Sequence, residues 1–414
     1  MPAVPLTRAA VEALDAADEL AYLREEFALP QGIVYLDGNS LGALPRAAVG
    51  RLRDVVERES GVGLIRSWNR HGWIDLSARV AALLAPLVGA AADELAVADS
   101  TSVNLFKLLA GALRLRPGRK LILSEEENFP TDLYVAQGLS ALLDGVSHRL
   151  VPRAGLAQAL DESVAVLMLT HVDFRTGALH DMAQWTRAAH RAGALALWDL
   201  SHSAGALPVD LAGCEADLAV GCGYKYLNGG PGAPAFAFVA RRHLGVFETP
   251  LAGWMGHAEP FAFDPRYRPA AGIARLLCGT PPVLSLAALE CGVETIARAG
   301  VARLRRKSMA LTDLFVRLVE QECPGAGLAL ASPREAERRG SQVALRHAEG
   351  YAIVQALGAR GVIADFRTPD VLRFGFAPAY LRFCDVWDAV VALRAVMERR
   401  EWERPEHAER AKVT

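Results

Sequence analysis

The sequence predicts an α/β fold with a mainly parallel central sheet, helices on both sheet faces and a smaller α+β domain. Three observations carry this. Between Ala91 and Val239 short apolar runs alternate with amphipathic stretches; the runs are bounded by Gly, Pro, Asp or Ser; and beyond Pro281 long helical patterns separate from strand patterns. Alternation of strand and helix produces parallel pairing, because each crossover helix returns the chain to the same edge.

Taken in order, the expected strands are Lys120–Leu123, Ser163–Leu169, Ala194–Trp198, Leu218–Val220 and Ala235–Val239, all short and rich in Val, Leu, Ile or Ala. Helical spacing appears over Leu105–Leu113, Asp132–Leu143 and Asp181–Ala192, the last closed by Gly193 as a C-cap. A different texture follows Pro281. Val283–Ala299 reads as one long helix and Ala302–Cys323 as a basic one. Strands are expected at Ser341–Arg346 and Val371–Gly375, and a last helix at Cys384–Arg399. The highly charged tail Arg400–Thr414 is expected to be frayed or solvated. The resulting division is an N-terminal segment 1–60 against the small domain, a large domain 61–280 and a C-terminal small domain 281–414.

Composition narrows the class. The 414 residues hold 45 Lys plus Arg against 47 Asp plus Glu, and 52% are hydrophobic, which argues against disorder and against a polybasic nucleic-acid binder. No stretch approaches the roughly 20 apolar residues of a membrane helix. The start MPAVPLTRAAVEALDAADEL lacks the basic-then-apolar order of a secretory leader, so a cytoplasmic enzyme is expected. None of the six cysteines forms a C-x-x-C pair, so they are expected to be reduced thiols with no metal role.

Chemistry concentrates in Ala196–Pro234. An apolar strand ends in Asp199, His202 follows three residues on, and Lys225 sits between Tyr224 and Tyr226 behind Gly223. Ligands of open parallel sheets gather beyond the carboxyl ends of strands. A lysine amine can hold pyridoxal phosphate as a Schiff base, and a carboxylate such as Asp199 keeps the ring nitrogen protonated. Upstream, Asp99–Asn104 places Ser100, Thr101 and Ser102 at a helix start, a natural phosphate cradle. Phe129, in Asn128-Phe129-Pro130-Thr131-Asp132, is placed to stack on the ring. Each element alone has a bland reading: a turn aspartate, a surface lysine, an ordinary N-cap, a hydrogen-bonded structural histidine. Their order along the chain is what one cofactor site requires.

These residues resemble kynureninase, a pyridoxal-phosphate hydrolase of the aspartate-aminotransferase fold type (fold type I). The likeness spans nearly the whole chain: Tyr35–Gly42, Thr101–Asn104, Asn128–Asp132, Phe174–Gly177, Trp198–Ser203, Tyr224–Asn228, Gly253–His257 and Gly279–Pro282. It implies that Lys225 bears the cofactor, Asp199 meets the pyridinium nitrogen and Phe129 stacks, with Pro130 and Thr131 beside it. Thr101, Ser102 and Tyr224 would bind phosphate. Asp132, Thr170 and His202 would contact the ring and its hydroxyl. Trp254 and Thr280 would reach the phosphate of a neighbouring subunit, implying a homodimer. Arg373 matches the arginine that grips the substrate α-carboxylate, a job suited to a guanidinium fork. Asn39 and Ser40 would line that pocket, and His71 the aryl ring. Tyr224 is the candidate proton relay. The implied reaction is hydrolysis of kynurenine, or its 3-hydroxy derivative, to anthranilate (or 3-hydroxyanthranilate) and alanine in tryptophan breakdown, a route that also feeds NAD synthesis. Thr280 and Met255 bear on the choice between the two substrates.

The nearest competitors are a cysteine desulfurase and a small-amino-acid aminotransferase of the same fold. A desulfurase needs a nucleophilic thiol. Cys323 precedes Pro-Gly and Cys384 stands beside Asp385 at a helix start, neither an obvious low-pKa setting.

Overall fold

The structure is a computed structural model, and it describes residues 5–410. Its centre is a seven-stranded sheet: β1 (Leu95–Val97), β2 (Leu121–Glu125), β3 (Ser147–Val151), β4 (Val164–Thr170), β5 (Leu195–Asp199), β6 (Leu218–Gly221) and β7 (Phe236–Val239). The spatial order is β1-β7-β6-β5-β4-β2-β3. Neighbours from β3 to β6 run parallel, and β7 runs antiparallel to both β6 and β1.

Side chains of the inner strands alternate between two hydrophobic layers. Leu167, Leu169, Ala196, Trp198 and Ala219 fall in one, while Val166, Met168, Leu195, Leu197, Leu218 and Val220 fall in the other. Both faces are covered, so these strands read as continuous apolar runs. Two strands of this sheet were not expected. β1 has three residues, and β3 is an edge strand of sequence SHRLV, half-exposed and too polar to signal a buried strand.

Three helices frame the carboxyl ends of the strands. The helix α1 (Thr101–Leu115) begins four residues before its expected apolar start, because the Ser100 hydroxyl accepts from Val103 N at 3.3 Å and caps it. The helix α2 (Pro130–Leu142) opens with Pro at its first turn directly after Phe129. In α3 (Met182–Arg191), Asp181 caps the start by accepting from Gln184 N at 2.8 Å.

Beyond Pro282 come the helices α4 (Val283–Ala299) and α5 (Val301–Glu322), close to expectation. A four-stranded antiparallel sheet follows, made of β8 (Ala329–Leu330), β9 (Gln342–Arg346), β10 (Asp365–Arg367) and β11 (Val371–Gly375), in the order β10-β11-β9-β8. The helix α6 (Gly350–Ala359) and α5 pack on it, and α7 (Phe383–Glu398) packs against both helices. The N-terminal segment belongs beside this sheet. Val34 and Tyr35 pair in parallel with Val362 and Ile363, Asp37 bridges Gly375, and Asp15 accepts from Phe383 N and Cys384 N at 2.6 and 2.9 Å.

The expectation of a frayed tail is corrected up to residue 410. Glu401 is buried and accepts two bonds of 2.6 Å from Arg360, His407 is buried, and the Arg410 guanidinium lies 5.5 Å from the centre of the Tyr351 ring. Glu401 is paired with Arg360 at the end of α6, while Glu403, Arg404, Glu406 and Glu409 remain exposed as their charge suggested. Residues 411–414 of the expected tail lie outside the described residues. Among those described, no helix is long and apolar enough to cross a membrane.

Candidate active site

The site forms where parallel strands end. Thr170 and Asp199 are register partners at the carboxyl ends of β4 and β5. The chain leaving β5 turns at once: Asp199 accepts from Ser201 N at 2.7 Å, and this turn presents His202. The chain leaving β6 passes Gly223 and presents Tyr224 and Lys225. The Lys225 Nζ lies 3.0 Å from His202 Nε2, in a setting where both residues are buried. It also stands 5.7 Å from the centre of the Phe129 ring and 5.9 Å from that of Tyr224. Three expected residues, His202, Phe129 and Tyr224, thus surround one amine.

The close approach of the N-terminal segment has a specific cause. Gly42 donates its N–H to the Tyr224 carbonyl at 2.7 Å, and a Cβ at Gly42 would lie 2.2 Å from the Lys225 carbonyl oxygen. Only glycine lets the two backbones meet here.

Asp132 supplies the strongest electrostatic signal. It is 1% exposed, and neither carboxylate oxygen has a hydrogen-bond partner. Burial, and then the nearby Asp199 carboxylate, push its carboxyl well above the ordinary range. Two buried carboxyl groups facing one space call for a cation or an N–H donor between them. A protonated pyridine nitrogen is such a group, so the residues fit pyridoxal phosphate. Asn128 holds this wall: it donates to Ser124 Oγ at 2.9 Å, and its Oδ1 accepts from Phe129 N at 2.7 Å and from the Thr170 hydroxyl. Phe129 itself packs edge-on against Phe174, ring centres 5.2 Å apart. Pro130 and Thr131 form the first turn of α2 and are half-buried. Thr101 and Ser102 occupy the first turn of α1.

Burial, then the Lys225 and Arg373 charges, hold His202 well below the ordinary imidazole range, and its Nδ1 has no partner. Burial also pushes the Tyr224 hydroxyl above the ordinary phenol range. The imidazole is therefore neutral and the phenol protonated near pH 7.

A second cluster lies on the small sheet. Arg373 is 1% exposed; its Nε donates to Asp365 Oδ1 at 2.7 Å and its Nη2 to Asp365 Oδ2. It further donates to the Phe174 carbonyl at 2.5 Å and to Ser40 Oγ at 3.1 Å. Ser40 in turn donates to Asp365 at 2.8 Å, and Arg367 reaches the same carboxylate at 2.8 Å. Asn39 is fully buried, donates to Gln342 Oε1 at 3.4 Å and has an unpartnered Oδ1. Burial, then Asp365, push the Asp37 carboxyl up to about 7. Sequence reasoning named Arg373, Asn39 and Ser40 but missed Asp365, Asp37, Gln342 and Asn128. The one available signal was Asp365 standing eight residues before Arg373 across a turn containing Pro369.

Three expected residues are not brought to this centre within one protomer. Trp254 packs edge-on against the exposed Phe261 at 5.7 Å, and Thr280 is exposed. His71 lies on a separate corner, its Nδ1 3.9 Å from Glu59, which also accepts from Trp73 and Arg51 at 2.6 Å. The thiols considered for a desulfurase are unsuited to attack. Burial pushes Cys323 up to about 11, and burial together with Asp15 pushes Cys384 up to about 12.

Fold and site together define a pyridoxal-phosphate enzyme of fold type I. Solved structures agree on the fold. The cysteine desulfurase of Thermococcus onnurineus NA1 superposes with a TM-score of 0.78 at 18% identity, covering 92% of this chain and 98% of that one. A C-DES variant with glycine covalently linked to its PLP cofactor superposes at 0.79 and 19% identity, covering 90% and 98%. Sequence comparison is far more specific. The kynureninase C-terminal domain family matches residues 304–393. The kynureninase of Burkholderia mallei (strain SAVP1) is 56% identical over 414 residues, covering 99% of this chain and all of that protein. That of Pseudomonas fluorescens is 53% identical over 408 residues, covering 97% and 98%. The chain belongs to the kynureninase family.

Proposed function

We propose that the protein hydrolyses the Cβ–Cγ bond of L-kynurenine to give anthranilate and L-alanine, with 3-hydroxy-L-kynurenine as a further aryl substrate. The observation that carries this reading is one buried amine, Lys225, set between the Asp132–Asp199 wall and the Arg373 cluster in a chain of this family. When bound, the cofactor supplies an electron sink conjugated to the substrate Cα and Cβ.

The roles of this chain's residues follow from their placement. Lys225 would hold the cofactor, and its free amine would carry the proton taken from Cα. Neutral His202 takes a hydrogen bond from the amine without adding charge repulsion. Asp199 and Asp132 would hold the protonated ring nitrogen, Thr170 and His202 the ring hydroxyl, and Phe129 would stack on the ring with Pro130 and Thr131 beside it. Thr101, Ser102 and Tyr224 hold the phosphate. Arg373 grips the substrate carboxylate in a pocket shared with Asn39 and Ser40. Water adds to the γ-carbonyl carbon, the electrons of the Cβ–Cγ bond remain with Cβ, and a proton delivered to Cβ completes alanine. Tyr224, protonated near pH 7, is the donor for that relay, a contribution of about 100- to 10,000-fold.

We further propose a homodimer in which Trp254 and Thr280 complete the phosphate site of the other copy and His71 approaches the aryl ring. The exposure of Thr280 and the packing of Trp254 against the exposed Phe261 support it. The proposed division is 1–60, 61–280 and 281–414, supported by the pairing of Val34 and Tyr35 with the small-domain side. A cytoplasmic location completes the reading.

The test is Lys225→Ala with anthranilate release followed by fluorescence and the cofactor followed by its visible absorbance. Loss of both the bound-cofactor band and turnover is expected. Anthranilate release at the parental rate refutes the assignment, and sulfide release from cysteine by the parental protein would favour the desulfurase chemistry instead.

A further inference from the structure

Lys107 is a lysine with no exposure at all, two turns into α1, on the helix whose first turn carries Thr101 and Ser102. Lysine is almost never fully buried without a partner, and its desolvation demands a reason. Its ammonium has two partners. One is the Asp99 carboxylate; the other is the backbone carbonyl of Leu276 at 2.6 Å. These partners belong to two different parts of the molecule. Asp99 stands directly before Ser100 and holds a positive φ of 53°, a conformation that costs energy for a residue with a Cβ. Its carbonyl accepts from Ala235 N at 2.8 Å, so the backbone here is fixed to β7's approach. Leu276 lies four residues before Thr280, in the turn Gly272–Leu276.

Of the two Lys107 bonds, the one to Asp99 lies beside the Ser100–Ser102 cradle, and the one to the Leu276 carbonyl ties the same helix to the segment leading to Thr280, which the proposed homodimer places at the phosphate of the other copy. Asn104 is buried and donates to the Ala98 carbonyl at 2.9 Å, which fixes the chain entering the cradle. Lys107 fixes the next residue and simultaneously anchors the segment leading to Thr280. A neutral side chain of similar length would leave both the Asp99 carboxylate and the Leu276 carbonyl without their donor.

We infer that Lys107 is a positioning residue for cofactor phosphate: it locks the Ser100–Ser102 cradle to the 272–280 segment so that the hydroxyls and N–H groups of the cradle are held at fixed spacing. The inference rests on the reading of Thr101 and Ser102 as the phosphate cradle. Lys107 does not touch the phosphate in this role; it sets the geometry of groups that do.

The test separates phosphate recognition from general loosening. The full-length protein is stripped of cofactor and titrated in parallel with pyridoxal phosphate and with pyridoxal, which lacks the phosphate. For Lys107→Met the dissociation constant for pyridoxal phosphate is expected to rise about 10-fold or more, while that for pyridoxal changes less than about 2-fold. Lys107→Arg, which keeps the charge and donors, should recover part of the loss. Asp99→Asn, at a partly exposed position, breaks the same lock from its other side and covers the case in which Lys107→Met does not fold; it should shift the same ratio. Equal losses for both aldehydes, or no change in either variant, overturn the inference. Thr101→Ala with Ser102→Ala tells the two failures apart. If that pair lowers phosphate selectivity and the Lys107 and Asp99 variants do not, the positioning role alone falls. If the pair also leaves selectivity unchanged, the phosphate is held elsewhere and the cradle reading falls with it.

Discussion

Asp365→Asn is the most informative perturbation of the carboxylate pocket. Asp365 and Arg373 are register partners on adjacent antiparallel strands, joined by two charged hydrogen bonds, and each is 1% exposed. Asparagine keeps one acceptor and turns an N–H₂ group toward the guanidinium. One charged bond is lost and the other becomes charged-to-neutral, at about 1.5–3 kcal/mol for a bond to a charged group. Stripping a partner from a buried pair typically costs about 3–5 kcal/mol. The Phe174 carbonyl and Ser40 hydroxyl still hold Arg373, so a loss of about 2–4 kcal/mol is expected, read by urea unfolding of the parent and variant. Function should split in a definite way. A guanidinium free to turn binds the substrate carboxylate poorly, so KM for kynurenine rises about 10-fold or more while kcat falls by less than about 3-fold. A variant of parental stability with an unchanged KM would refute the argument that Asp365 orients Arg373.

Three other outcomes follow from neighbouring geometry. Asp37, raised to about 7 by burial and then by Asp365, is neutral below that pH; with Asp365, Arg367 and Arg373 the cluster then carries one net positive charge, and above it none. KM should therefore rise as pH passes upward through about 7, and Asp37→Asn should abolish that limb; a pH profile of KM identical in the two proteins rejects the assignment. Gly42→Ala places a Cβ 2.2 Å from the Lys225 carbonyl and 2.5 Å from Asn228 Oδ1, so the Lys225 loop must shift, and a fall in kcat of about 100-fold is expected from stopped-flow or steady-state assay. Asp132→Asn removes a carboxyl that burial and Asp199 oppose, so the cofactor-free protein should melt at a higher temperature while binding pyridoxal phosphate more weakly; a lower melting temperature of the stripped variant contradicts the picture of two opposed carboxyl groups.

The large sheet was readable because its inner strands are apolar on both faces, and the runs at Val164–Thr170 and Leu195–Asp199 announce themselves without context. β3 was not, because an edge strand with Ser, His and Arg carries no such signal. The tail was misjudged for a related reason. Most of its charges are solvated, but Arg360, just past the end of α6, takes Glu401 out of solvent and ties the segment down. At the site, the spacing from Asp199 to Lys225 was visible in the chain because both follow consecutive parallel strands and must emerge at the same edge. The Asp365–Arg373 pair depends on strand register, and two residues eight apart face each other only once the hairpin closes.

The same logic explains why the loop 171–180 matters more than its sequence suggested. Asp173 Oδ1 accepts from Arg175 N at 3.1 Å, Thr176 N at 2.6 Å and the Thr176 hydroxyl at 2.6 Å. The Ser332 hydroxyl and Gly340 N donate to the Thr176 and Gly177 carbonyls at 2.5 and 2.8 Å, so the turn is held from within and from the small sheet's side. The Phe174 at its tip acts through two different groups: its ring meets Phe129, and its carbonyl takes bonds from Arg373 at 2.5 Å and Gln342 at 3.1 Å. The proposed stacking ring and the proposed carboxylate clamp are thus set against one rigid residue. A shift of the small sheet cannot move Arg373 without straining the Phe174 carbonyl, and a shift of Phe174 is felt at Phe129. Placing the amino-acid end of a substrate and the plane of the cofactor ring on one common support fixes the angle between them, and that angle decides which bond at Cα or Cβ is aligned for cleavage.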